Sequence, residues 1–345
     1  MKFVVAILIF CVVILFHEFG HFLLARANGI CVEEFCIGFG PTLLSYQGKQ
    51  TKYSVKLVWF GGACIMKGED EENSDPDAFG AKGVLARMSV VFAGPFFNFI
   101  LAFVFSLVLM GMVGYDLPVI TTVYEGSPAE SAGLIEGDVI LSMNNKKITV
   151  AREAALYLYL HPQKATEEVV VTYERDGEQY TVSILPELNE AGYYRIGIGL
   201  NTVRQRGNVF QTLRYAFHEV GYWIDVTLNS LKLLVTGQVS LNQLSGPVGI
   251  VKTIGDTYEQ SQPSGLVIVI ANMLNISILL SANLGVMNLL PIPALDGGRI
   301  VFLIAEGIRR KKFNPNIEGY VNMAGFAILI LLMVLVMVND IHNLI

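Results

Sequence analysis

The sequence predicts a polytopic α-helical membrane protein with four transmembrane helices, a β-hairpin after the first of them, and one inserted α+β domain. Three observations carry this fold class. Of 345 residues, 53% are hydrophobic and 16% charged, where a soluble protein carries about 25% charged residues. Four stretches are long and apolar enough to cross a bilayer, which takes about 20 residues. Charge is also segregated: residues 115–205 hold 13 Asp/Glu and 7 Lys/Arg, net −6, while the rest balances at 17 against 17. That is the pattern of a soluble domain set between apolar ends.

Taken in order, residues 1–28 form the first transmembrane helix, whose stretch 3–25 is free of charge except for the motif of His17, Glu18 and His21. Lys2 ahead of the apolar run and Ala25-Arg26-Ala27 after it also fit a signal peptide. Cleavage there would discard the polar motif, and the run is long for a signal. Residues 29–87 make a hairpin and loop region on the cytosolic side. Within it, 42–66 alternates partly and has Gln47-Gly48 at a turn, which predicts a β-hairpin, and 69–77 is an acidic surface loop. Residues 88–115 are uncharged and form the second span.

Residues 116–203 make the inserted domain. Ser127-Pro128-Ala129 opens a short helix that Gly133 ends, Gly137-Asp138 turns the chain, and "VILSMNNKKI" reads strand, tight turn, strand. Strands at 168–173 and 179–184 flank Asp176-Gly177, and 193–200 closes the fold. Residues 204–258 mix apolar and charged positions, as in an amphipathic helix lying on the outer membrane surface. The third span is 260–298, uncharged as far as Leu295. A basic loop at 299–318 follows, then a fourth span at 319–340.

Basic residues set the orientation. Arg26, Lys49, Lys52, Lys56, Lys67, Lys82 and Arg87 lie between spans one and two; Arg299, Arg309, Arg310, Lys311 and Lys312 lie between spans three and four. With four spans both segments share a side, and the positive-inside rule makes it the cytosol. The acidic domain and both termini then face outward, and spans one and three both run inward.

His17-Glu18-x-x-His21 places two imidazoles one helical turn apart on one face, which suits a shared Zn²⁺. The alternative is two core histidines, but in lipid such groups still need partners. Catalytic zinc takes three protein ligands and leaves one position open. Glu33 and Glu34, the acids nearest in sequence, lie beyond the span's end. Asp296 is the only acid between Glu259 and Glu306, and the shared direction of spans one and three brings it to the depth of the histidines. Pro291, Pro293, Gly297 and Gly298 around it predict a broken helix, tolerated at membrane depth only where it lines a cavity or is buried in protein. The alternative role for Asp296 is to cap the following helix. A zinc ion here supplies Lewis acidity, and Glu18 is placed to take a proton from water and pass it to a leaving amine.

His17-Glu18-x-x-His21 in the first span, with Asn288-x-x-Pro291-x-Pro293-x-Leu295-Asp296-Gly297-Gly298 in the third, resembles the site-2 protease family of intramembrane zinc metalloproteases. The nearest branch is the bacterial regulator-of-sigma-E type. The resemblance covers most of the chain. It implies that His17, His21 and Asp296 ligate one zinc ion, that Glu18 is the general base, and that Asn288 binds substrate backbone. Gly94-Pro95-Phe96-Phe97-Asn98 resembles the family's second-span G-P-x-x-N pattern, for which helix packing is the expected role. The hairpin becomes a membrane-associated element that pairs with unwound substrate, although "ACIMK" replaces the family's aromatic-rich run.

Residues 125–148 resemble the core of a PDZ domain, extracytoplasmic by the orientation above. A peptide C-terminus is its candidate ligand, and a steric filter is its other candidate role. The implied partners are the lipid bilayer and single-span membrane proteins such as anti-sigma factors or signal-peptide remnants. The implied location is the bacterial cytoplasmic membrane. A catalytically inactive PDZ-containing membrane scaffold is the alternative function. All four cysteines fall in the first 64 residues and support no disulfide framework. No run of basic residues interleaved with aromatics favours nucleic acid.

Overall fold

Leu, Ile, Val and Phe runs without charge bury no polar side chain on coiling, so in an apolar medium they satisfy their backbone as helices. A computed structural model describes residues 2–69, 73–161, 164, 166–188, 192, 194–200, 203–239 and 245–342. It divides into two compact units, residues 1–106 with 223–345, and residues 107–222.

In the first unit, α1 (Lys2–Ala27), α2 (Val84–Val113), α7 (Leu266–Asn288) and α9 (Pro315–His342) are long and apolar enough to span a membrane. The protein is an integral membrane protein of mixed α and β structure. The most apolar windows of α1, α2 and α9 have mean hydropathies of 2.6, 2.4 and 2.7, whereas α7 reaches 1.9. The difference is the polar content of α7, which works as helix–helix glue: Ser281 donates to the Asn98 carbonyl oxygen at 2.8 Å, and Asn283 accepts from Thr227. Only 6% of the α9 window is buried, which leaves that helix facing lipid.

Two strands, β1 (Val32–Gln47) and β2 (Lys52–Met66), follow α1. They are longer than the predicted hairpin over 42–66 and fold back on themselves. Residues 42–47 pair antiparallel with 52–56, and 32–37 pair antiparallel with 62–66. Residues 34–37 also pair with 52–55, their numbers rising together, so those two stretches run in parallel. The fold-back turns at Gly38, whose φ of +83° is strained for any residue with a Cβ. Residues 62–66 form an outer edge, and α1 packs on β2.

Four predicted boundaries are corrected. The second span starts at Val84 rather than 88, because Arg87 is neutralised inside the fold by Glu306 at 2.5 Å. The third span is not one element over 260–298: α7 ends at Asn288, a turn follows, and α8 (Asp296–Arg309) begins at the motif. Consequently the basic segment 299–318 is largely helix and not loop, with Leu303 and Glu306 buried on its inner face. Within 204–258 there are two helices, α5 (Val209–Val235) and α6 (Pro247–Ser261). Residues 70–72 of the acidic loop lie outside the described residues, as do 240–244 ahead of Ser245-Gly246-Pro247-Val248-Gly249-Ile250.

The second unit is α+β. Short strands β3 (Tyr115–Leu117) and β4 (Ile120–Val123) precede α3 (Pro128–Ser131), which Ser127 caps by accepting from the Glu130 N–H. A sheet in the order β6-β5-β7-β8 follows, built from β5 (Val139–Met143), β6 (Lys146–Lys147), β7 (Val169–Arg175) and β8 (Glu178–Ile184). Asn144 and Asn145 both take positive φ in the β5–β6 turn, as do Asp176 and Gly177 between β7 and β8; this is the tight-turn geometry that matches strand twist. The helix α4 (Ala151–Leu160), absent from the sequence reading, packs Ala154 into a core with Ile120, Leu134, Ile140, Met143, Val171 and Ile196. The remaining short strands are β9 (Glu187–Leu188), β10 (Tyr194–Arg195), β11 (Ile198–Leu200), which pairs with β4, and β12 (Val203–Gln205), which pairs with β3.

Candidate metal centre

His17 and His21 sit on one face of α1, both buried, with ring centroids 4.8 Å apart. Their Nε2 atoms are 3.2 Å from each other. Asp296, at the first turn of α8, brings Oδ2 to 3.2 Å from the His17 Nε2 and 3.4 Å from the His21 Nε2. The turn 289–295 makes this approach: Ala294 takes φ +73°, and Gly298 lies so close to Ile292 that a Cβ there would fall 2.9 Å from the Ile292 carbonyl carbon. Leu295, not Asp296, occupies the N-cap of α8, so the carboxylate is free of the capping role.

These three residues form a group able to hold a metal ion. Nitrogen and oxygen ligands at about 2.0–2.2 Å in a tetrahedron stand about 3.3 Å apart, and the three observed separations match that spacing. Asp296 Oδ2 is buried and accepts no hydrogen bond of good geometry. An orphaned carboxylate oxygen facing two imidazole nitrogens is costly unless a cation lies between them. The residues present therefore fit zinc.

Both imidazoles are held from α2. The His21 Nδ1 lies 2.9 Å from the Val90 carbonyl oxygen; since that oxygen can only accept, the ring proton is on Nδ1 and the Nε2 lone pair faces the other donors. The His17 Nδ1 lies 3.1 Å from the Asn98 side-chain amide. Glu18 is positioned from the other side, where the Cys64 backbone N–H on the outer edge of β2 donates to its carboxyl. The Asn288 Nδ2, at the end of α7, is 3.4 Å from the His17 Nε2. A cavity of about 720 Å³ is lined by all five predicted site residues, His17, Glu18, His21, Asn288 and Asp296. Glu69 and Arg299, which pair with each other, line it too. Sequence reasoning missed Val90, Cys64 and the Glu69–Arg299 pair. The first two act through backbone atoms, which carry no residue-type signal; Asn98 did carry one, in Gly94-Pro95-x-x-Asn98.

The model of Peptidase family M50 matches residues 5–332. The chain belongs to that family, the site-2 metalloproteases. Among relatives of this M50 peptidase, a Clostridium acetobutylicum protein is 36% identical over 339 residues, covering 98% of this chain and 96% of its own. The regulator of sigma-W protease RasP of Bacillus subtilis is 32% identical over 429, covering 98% of this chain and 97% of its own. The zinc metalloprotease RasP of Bacillus licheniformis is also 32% identical, with 98% of each chain covered. Among solved structures, the PDZ domain of a Listeria monocytogenes protein aligns with 25% of this M50 chain and 88% of its own, at 24% identity and a TM-score of 0.22.

Proposed function

We propose that this M50 peptidase holds one catalytic zinc ion through His17, His21 and Asp296 and hydrolyses peptide bonds within or near the membrane span of single-span proteins. The observation that carries the reading is the convergence of three buried donor atoms at 3.2–3.4 Å from one another. When bound, zinc supplies Lewis acidity. Glu18, fixed by the Cys64 N–H, takes the proton of the attacking water and returns it to the leaving amine. Asn288 donates to the substrate backbone beside the scissile bond. A helical substrate hides its carbonyls in hydrogen bonds, so it unwinds first and adds as a strand along the free edge at residues 62–66.

The basic segments between the spans support a cytosolic-side metal centre in the bacterial cytoplasmic membrane, with residues 116–203 outside it as a PDZ domain that receives a peptide C-terminus. The name of the Bacillus subtilis relative, which ties it to a sigma factor, supports membrane-bound anti-sigma factors as substrates, with signal-peptide remnants as a second substrate class. A catalytically inactive scaffold has no need of the converged donor set.

The test is to purify the full chain in detergent, measure bound zinc, and follow cleavage of a single-span substrate. Glu18→Gln keeps the metal and loses cleavage by about 10²–10⁴-fold; His17→Ala and Asp296→Ala lose both. Normal cleavage by Glu18→Gln would overturn the reading.

A further inference from the structure

We propose that Asn98 is a positioning residue for the metal centre, its side-chain oxygen accepting the His17 Nδ1–H and so fixing the tautomer whose Nε2 faces Asp296. The inference rests on the zinc reading above.

Asn98 is fully buried in a membrane-spanning helix, a place where an amide needs partners. As placed, its NH₂ lies 3.1 Å from the His17 Nδ1, while its oxygen has no hydrogen-bond partner. In that orientation Nδ1 accepts, and the ring proton falls on Nε2. That is the nitrogen 3.2 Å from both the His21 Nε2 and Asp296 Oδ2, and a protonated nitrogen ligates nothing. The two orientations of an amide share one shape, and the hydrogen-bond network decides between them. Turned over, the oxygen gains the Nδ1–H donor and Nε2 is left with its lone pair. His21 already has this arrangement, with the Val90 carbonyl as acceptor.

The surrounding structure holds the amide where it can do this. The Asn98 carbonyl oxygen accepts from Ser281 on α7 at 2.8 Å. One turn earlier on the same face, Gly94 lets α2 lie against both rings, since a Cβ there would fall 2.5 Å from the His21 Cε1 and 2.7 Å from the His17 Cε1. The stretch 90–98 is thus a wall that orients both imidazoles, which is more than the helix packing expected from its sequence pattern.

Outer partners of ligating histidines are worth about 10–100-fold in metal affinity. The test is zinc affinity of the full chain in detergent, by chelator competition, together with the melting temperature of the metal-free protein. Asn98→Leu, which keeps the shape and removes the acceptor, is expected to bind zinc about 10–100-fold more weakly. Asn98→Asp, which keeps an acceptor oxygen, is expected to restore binding to within about threefold. A merely structural role would lower both variants' metal-free melting temperatures and leave zinc affinity unmoved.

Equal zinc affinity in Asn98→Leu and the unmodified chain overturns this inference alone. An unmodified chain that binds no zinc overturns the metal reading with it. Should Asn98→Leu fail to fold, the unmodified chain still decides, with ¹⁵N-histidine and ¹¹³Cd in place of zinc. Cadmium coupling at the His17 Nε2 with a protonated Nδ1 supports the inference; an unprotonated Nδ1 overturns it.

Discussion

Gly94 and Arg87 show how much single positions on α2 decide. Any side chain at 94 meets both imidazoles, and core packing cannot absorb such a contact without moving something. Gly94→Ala is therefore expected to lower zinc affinity by about tenfold or more, with the helices intact by circular dichroism, because displaced rings no longer converge. Arg87 and Glu306 are 7% and 8% exposed and face each other at 2.5 Å. Removing one partner strands a buried charge at a cost of about 3–5 kcal/mol. Arg87→Ala is expected to show that loss in thermal unfolding of the detergent-solubilised protein.

Among the elements, α6 shows how a helix start is fastened to another helix, with Gly246 at its N-cap and Gly249 in its first turn. Its first turn needs acceptors for free N–H groups, and Asp340 near the end of α9 supplies them, accepting from Gly246 at 3.0 Å and Gly249 at 2.8 Å. A cap donated by another helix fastens α6 to α9, so Asp340→Ala is expected to cost about 1–2 kcal/mol and to speed amide exchange at residues 246–250. The β1–β2 element carries a pH dependence. Glu34 accepts from the Ser54 hydroxyl at 2.5 Å and faces Lys56 and Lys52. The Ser54 hydrogen bond, aided by the two lysines, holds the Glu34 carboxyl below the usual carboxylate range. A depressed folded-state value means that this stabilisation is complete above the ordinary carboxylate value and fades as pH falls through the depressed one. Amide exchange at residues 52–55 is expected to quicken on acidification, and Glu34→Gln to remove that dependence.

At the scale of the whole molecule the candidate metal centre belongs to one of the two units. Among the described residues, every candidate ligand lies in the first unit and none in residues 107–222. The second unit has an ion pair of its own around the buried Asp138: the half-buried Arg175 donates to both oxygens of Asp138 at 2.7 Å and to the Gly133 carbonyl at 2.8 Å. Asp138→Ala is expected to destabilise that unit by about 2–3 kcal/mol. Bound zinc per chain should stay at the level of the unmodified protein, which limited proteolysis and metal analysis on one sample can check together.

What the sequence determined by itself was everything governed by short-range pattern: four apolar spans, two histidines one turn apart, and the asparagine and glycine turns of the α+β unit. Direction counting even brought Asp296 to the depth of His17, 279 positions earlier in the chain. Tertiary structure alone decided that residues after Asp296 form a helix rather than a loop, because Arg87 arrives to neutralise Glu306. It also decided that the Val90 carbonyl and the Asn98 amide address the two rings. Those partners stand 69 and 81 residues from the histidines they touch. No local pattern reports a contact that exists only once two helices have packed.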